Sequence, residues 1–197
     1  MRRLGECYEF GTGVEKNGVE AYKWYKKAAE AGDSGGMWRL GICYQLGTGV
    51  EKNDVEAYEW YKKAAEAGDS IGMRRLGVCY NWGTGVKKND VEAYKWYKKA
   101  AEAGDSRGMR CLGGCYQFGT GVEKNEAEAF KWYKKATEQK DLDSQWLLGY
   151  CYEHGIGTTI NLSLAKSFLK LAAKQGHKKA QEELERLEND VTNKRIK

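Results

Sequence analysis

The sequence predicts an all-α fold, a solenoid of helix-turn-helix repeats with a 36-residue period, and three observations carry that prediction. Leucine recurs at Leu4, Leu40, Leu76, Leu112 and Leu148, followed each time by glycine and then by a tyrosine at Tyr8, Tyr44, Tyr80, Tyr116 and Tyr152. Glycine pairs return in the same register, from Gly11 with Gly13 to Gly155 with Gly157. Residues 1–36 and 37–72 differ only at positions 2, 6, 9, 10, 18, 23 and 35 of the first copy, so the period is a near duplication rather than a loose pattern.

Each repeat reads as two helices. Asp69 and Ser70 can cap a first helix that carries Met73, Leu76, Gly77 and Tyr80, an apolar stripe at i, i+3, i+4 and i+7. Glycine inside a helix costs about 1 kcal/mol against alanine, so Gly77 is expected where a neighbouring helix comes close. The segment Trp82-Gly83-Thr84-Gly85-Val86 then ends the helix, its glycines supplying left-handed backbone. Asn53 and Glu56 have capping-box spacing and open the second helix, whose buried stripe is expected to be Ala57, Trp60 with Tyr61, and Ala64 with Ala65. Glu59 and Lys63 are expected to pair across its exposed side. Helices of about 12 residues are marginal alone in water, so each repeat must bury its face on the next.

The array is expected to span residues 1–189, as repeats at about 1–33, 34–69, 70–105, 106–141 and 142–176 with a charged capping helix at about 177–189, followed by a disordered tail at 190–197. Met1 stands in the register of Met37, Met73 and Met109, inside a first helix rather than ahead of it, which suggests a cut from a longer array.

The Leu-Gly, Tyr, Gly-x-Gly-Val, Ala, Trp and Ala-Ala positions, for example Leu76, Gly77, Tyr80, Gly83, Gly85, Val86, Ala93, Trp96, Ala100 and Ala101, resemble the SEL-1-like repeats, relatives of the tetratricopeptide repeats. The resemblance covers about residues 1–188 and recurs five times. It implies a right-handed superhelix whose first helices line the concave side, and a non-catalytic scaffold or adaptor for protein complexes in signalling or protein quality control.

Near-identical repeats provide their own control. Positions that stay fixed satisfy stacking, and those that vary are free for something else. In the first helix the variation falls at 35, 38, 39, 42, 45 and 46 and their equivalents, and five of these form one helical stripe opposite the fixed Met, Leu, Gly and Tyr face. Trp24, Trp60, Trp96 and Trp132 repeat and are expected in the core, whereas Trp38, Trp82 and Trp146 lie in the stripe. Aromatics mixed with arginine are the composition of binding hot spots. The expected partner-binding residues are therefore Trp38, Ile71, Arg74, Val78, Trp82, Arg107, Arg110, Phe118, Trp146 and Tyr150, with a protein or peptide as partner. The competing reading is drift, with position 46 tucked under the glycine turn and the arginines solvated.

Other functions find less support. The net charge of +5 comes from 33 basic and 28 acidic residues mixed along the chain, which argues against a nucleic-acid footprint, although an RNA-reading helical array is an alternative, as is self-association through an unstacked repeat face. Cys151 and His154 share a helix face, but two ligands do not make the four-coordinate site zinc prefers, and no orienting group marks a Cys-His nucleophile. No metal, cofactor, small-molecule substrate or catalytic residue is expected. The glycine turns lack the Gly-Lys-Ser/Thr ending of a phosphate loop. No stretch approaches the roughly 18 to 20 apolar residues of a membrane span. Cys7, Cys43, Cys79, Cys115 and Cys151 repeat with the period, too far apart across packed helices to bridge, and with Cys111 are expected as reduced, buried thiols in a cytoplasmic protein. Secreted cysteine-rich members of the resembling family pair cysteines within each repeat, a pattern this chain departs from.

Overall fold

The computed structural model describes residues 1–195, with side chains through residue 189, so the tail expected at 190–197 lies outside the residues described in full. Among the described residues there are eleven α-helices and no strand. They run α1 Arg2–Phe10, α2 Gly18–Glu30, α3 Ser34–Leu46, α4 Asp54–Glu66, α5 Ser70–Trp82, α6 Asp90–Glu102, α7 Ser106–Phe118, α8 Glu126–Glu138, α9 Leu142–His154, α10 Leu162–Lys174 and α11 Lys178–Arg195. Two compact units result, Met1–Gly108 and Met109–Lys197.

Caps punctuate the helices as the sequence requires. Asn53 accepts from the backbone N–H groups of Val55 and Glu56, and Asp69 from those of Ile71 and Gly72 at 3.0 and 2.9 Å. These contacts satisfy donors that a helix N-terminus leaves without partners. At the other end Gly83 adopts the left-handed conformation, φ +71°, and its N–H closes on the Cys79 carbonyl. His177 stands in the register of the aspartate caps and does the same task differently, its Nδ1 accepting from the Ala180 N–H at 3.1 Å.

The core lies between repeats. In the first unit Ala21, Tyr25 and Ala29 of α2 pack with Leu40 and Cys43 of α3, and Ala57, Tyr58, Tyr61 and Ala65 of α4 pack with Leu76 and Cys79 of α5. The second unit repeats the scheme with Ala129, Tyr133 and Cys151, and closes with Leu169, Ala172, Ala180 and Leu187. Each fully buried leucine contributes roughly 1.5–3 kcal/mol, so the interfaces between repeats supply the stability that single hairpins lack. Gly77 meets its expectation: a Cβ there would stand 2.7 Å from the Tyr97 ring of the partner helix.

Two expectations for the second helix need correction. Tyr61, only 1% exposed, is the buried aromatic, while Trp24, Trp60, Trp96 and Trp132 are half-exposed flanks rather than core. Adjacent residues on a helix point about 100° apart, and of the Trp-Tyr pair it is the tyrosine that turns inward, its hydroxyl finding a partner in Gln45 Oε1 at 2.8 Å. The tryptophans instead carry lysines on their faces, Lys63 Nζ lying 4.1 Å from the Trp60 ring centre and Lys99 4.1 Å from that of Trp96. Lys63 is thereby engaged in a cation–π contact rather than in the Glu59 pair the spacing suggested.

The variable face of the first helices

The variable stripe contains two kinds of residue. At the end of each first helix, one residue before the left-handed glycine, stand Phe10, Leu46, Trp82 and Phe118, with 66, 70, 75 and 75% of their surface exposed. The glycine turns the backbone away at this point, leaving the last side chain without a following turn to pack on. The drift reading, with these residues tucked in as local core, does not describe them.

Position 38 behaves differently. Arg74 Nε reaches Asp105 Oδ1 at 2.9 Å with the two side chains only 11 and 10% exposed, and Arg2 makes the corresponding contact to Asp33 at 3.3 Å. In the second unit Arg110 lies between Asp141 and Asp143, at 3.3 and 3.0 Å. Each of these arginines grips the aspartate that caps the following repeat's first helix, so Arg74 and Arg110 serve stacking and are not idle charges offered to solvent. Where position 38 is tryptophan it also turns toward the next repeat. Trp38 packs against the cluster of Tyr61 and Leu76. Trp146 donates from Nε1 to Glu183 at 2.9 Å and stacks on His177 with ring centres 5.3 Å apart. The three stripe tryptophans are therefore not equivalent: Trp82 is open, and Trp38 and Trp146 are half-buried in packing.

Ile71 and Val78 are half-buried beside these groups and Arg107 is exposed. In the second unit Tyr150 stacks on His154 at 4.1 Å and leans on Trp146 at 6.3 Å, a small aromatic run along α9. Thus the first unit holds Trp38, Ile71, Arg74, Val78, Trp82 and Arg107, and the second Arg110, Phe118, Trp146 and Tyr150.

Sequence reasoning passed over position 39. Arg39 Nη2 binds Glu6 Oε1 at 2.9 Å and Nη1 binds Glu9 Oε2 at 3.2 Å, and its guanidinium lies 4.5 Å from the Trp38 ring centre. Glu9 also accepts from the Tyr25 hydroxyl. One repeat later the arginine is retained as Arg75, but Glu6 and Glu9 are replaced by Ile42 and Gln45. Arg75 is half-buried and, among the described residues, no carboxylate pairs with it; its Nε has no hydrogen-bond partner, which is also true of Arg39 Nε. Its charged form is disfavoured first by burial, with Arg74 and Arg107 nearby adding to that and Tyr61 and Cys79 opposing it. The signal in the sequence was that arginine stays at 3, 39 and 75 while Glu6 and Glu9 give way to Ile42 and Gln45.

None of the six cysteines is in a disulfide; four are buried and Cys7 and Cys111 half-buried. Burial pushes the thiols of Cys43, Cys79 and Cys151 up to about 12. Among the described residues no group of three or more metal-ligating side chains converges, and no helix is long and apolar enough to cross a membrane.

A Sel1 repeat model matches residues 1–33, 34–69, 70–105, 107–141 and 142–177. Among solved structures, a Sel1 repeat protein from Oxalobacter formigenes is 38% identical with a TM-score of 0.86, over 93% of this chain and 73% of that one. A protective antigen of uropathogenic Escherichia coli with an SLR fold is 37% identical with a TM-score of 0.82, over 93% of this chain but only 39% of its own. Cysteine rich protein B of Helicobacter pylori is 31% identical with a TM-score of 0.53, over 68% of this chain and 96% of that one. No curated protein matches the chain.

Proposed function

The chain belongs to the Sel1 repeat family, whose members generally mediate protein–protein interaction, and from that premise we propose that it is a non-catalytic scaffold or adaptor that holds a peptide or partner domain on the face lined by its first helices, the concave one in our reading. The observation that carries this reading is the row of last-turn residues. Phe10, Leu46 and Trp82 in the first unit are large, apolar and at least 66% exposed at equivalent positions, where a packing role would have buried them. Exposed aromatics beside arginine are the usual composition of interface hot spots. Half-buried Ile71 and Val78 give such a row an apolar floor. In the second unit Phe118 is the equivalent exposed residue, and Tyr150, stacked on His154, lies along the same stripe. Six cysteines outside any disulfide, three of them with strongly raised thiols, support a reducing compartment such as the cytoplasm.

The test is panning of a displayed peptide library against the immobilised protein. Selected peptides should lose about tenfold or more in affinity for Trp82→Ala, while the melting temperature of that variant stays at the wild-type value. Peptides that bind Trp82→Ala and Leu46→Ala as tightly as wild type would overturn the assignment of this face.

A further inference from the structure

Within the first unit the same arginine appears in two settings one repeat apart. Arg39 is paired with two carboxylates through its terminal nitrogens, and at the equivalent positions for Arg75 the chain supplies Ile42 and Gln45 instead. The tyrosine beside the second setting keeps its place: Tyr25 donates to Glu9 in one repeat, and its equivalent Tyr61 donates to Gln45 in the other. The acids are missing, and the ring that Arg39 rests on, Trp38, is replaced by Arg74. A half-buried guanidinium without a counter-ion is costly, and two further guanidinium groups lie near it. Of those, Arg74 is committed to Asp105 and Arg107 is exposed.

We propose that Arg75 is a carboxylate receptor, and that the partner docking on this face is an acidic protein segment whose glutamate or aspartate side chain takes the place at Arg75 that Glu6 and Glu9 fill at Arg39. This rests on the reading of the first-helix face as a protein-docking surface and adds to it the chemistry of the occupant. Arg107 supplies a second positive charge, and Ile42, Val78 and Trp82 offer apolar contact to residues flanking the acid. A planar guanidinium favours a carboxylate because two parallel N–H groups can bind its two oxygens, the geometry that selects an acid over an amide.

The chain contains its own mimic of the bound state. Gln45→Glu would place the equivalent of Glu9 beside Arg75 and keep the acceptor for Tyr61, so it should raise the melting temperature and occupy the receptor from within. The probes are two acetylated, amidated peptides, Gly-Ser-Leu-Glu-Glu-Leu-Ser-Gly and its counterpart with both glutamates replaced by glutamine. Titrations are followed by NMR at the arginine Nε–Hε resonances. Wild type should bind the glutamate peptide about tenfold or more tightly than the glutamine peptide, as a charge-assisted pair implies. That preference should shrink to about twofold or less in Arg75→Gln and in Gln45→Glu. Equal binding of both peptides to wild type, with both lost in Trp82→Ala, would overturn the carboxylate receptor and leave the docking surface standing. No binding of either peptide would overturn the receptor, and peptides selected by display would then decide the docking surface separately. A Gln45→Glu protein that melts lower than wild type would also count against the receptor.

Discussion

Gly83 and Gly85 offer a measurement of what stacking is worth. Both hold left-handed backbone, at φ +71° and +70°, so alanine at either position incurs a similar conformational strain of roughly 1–2 kcal/mol. Their surroundings differ. A Cβ at 83 would meet Lys88 at 3.4 Å, an ordinary contact, whereas one at 85 would stand 2.0 Å from the carbonyl oxygen of Asp54 and 3.0 Å from Tyr58 Cβ. Asp54 opens the second helix of the preceding repeat, so the turn can relieve that overlap only by lifting off its neighbour. Ordinary carbon contacts sit at about 3.5 Å, and a displacement of more than about 1 Å forfeits much of the dispersion energy at the seam. Overpacking of this kind typically adds about 1–3 kcal/mol, and a clash with backbone belongs at the upper end. Gly83→Ala is therefore expected to cost about 1.5 kcal/mol and Gly85→Ala about 4 kcal/mol. Urea unfolding followed by circular dichroism reads both, with Gly104→Ala as a third point, since at φ +88° it finds nothing within 4 Å. Equal losses for Gly83→Ala and Gly85→Ala would refute the account of how repeats seat on one another.

Four further outcomes follow from the ion pairs, thiols and hydroxyls. Arg74→Ala leaves Asp105 nearly buried without its counter-ion and should cost about 3 kcal/mol in urea unfolding, whereas Arg2→Ala, at a pair about 40% exposed, should cost under about 1 kcal/mol. Arg110→Glu sets a third carboxylate beside Asp141 and Asp143 and should lower the melting temperature by several degrees. The folded thiols of Cys43, Cys79 and Cys151 titrate at about 12, well above an unfolded thiol. Above about pH 9 the unfolded chain therefore releases protons that the folded chain keeps, and stability falls by up to about 1.4 kcal/mol per thiol per pH unit. Urea midpoints at pH 8, 9 and 10 should show the decline, and Cys79→Ala should flatten it. Tyr61→Phe removes the donor to Gln45 and should cost about 1 kcal/mol, measured against wild type at pH 7.

The period, the caps at Asn53 and Asp69 and the exit at Gly83 were legible because each is a local rule of backbone chemistry. The second helix was harder. Trp60 and Tyr61 are both large aromatics at neighbouring positions flanked by alanines, and periodicity alone cannot say which of two adjacent rings turns inward. The exposure of Trp82 and Phe118 followed from their variation, but the commitment of Arg74 and Arg110 did not. Their partners Asp105 and Asp141 sit 31 residues away and look fully explained as helix caps, so nothing in the sequence shows that each aspartate also accepts an ion pair. Arg75 was missed because what singles it out is an absence, the replacement of Glu6 and Glu9 by Ile42 and Gln45 one repeat on.

That double use of the cap separates two sorts of variation on one helix. A residue at position 38 touches the start of the next repeat, as Arg2, Arg74 and Arg110 do through Asp33, Asp105 and Asp141. In an array whose stability is a sum of repeat and interface contributions, changing it alters the coupling between neighbours and hence the cooperativity of unfolding. A residue at position 46 is the last of its helix and mostly exposed, so Phe10, Leu46, Trp82 and Phe118 can differ without cost to the stack. Repeats that diverged under selection for binding would then change freely at 46 and only within a narrow chemistry at 38. The observed residues at 38, arginine or tryptophan throughout, against phenylalanine, leucine, tryptophan and histidine at 46, have that form.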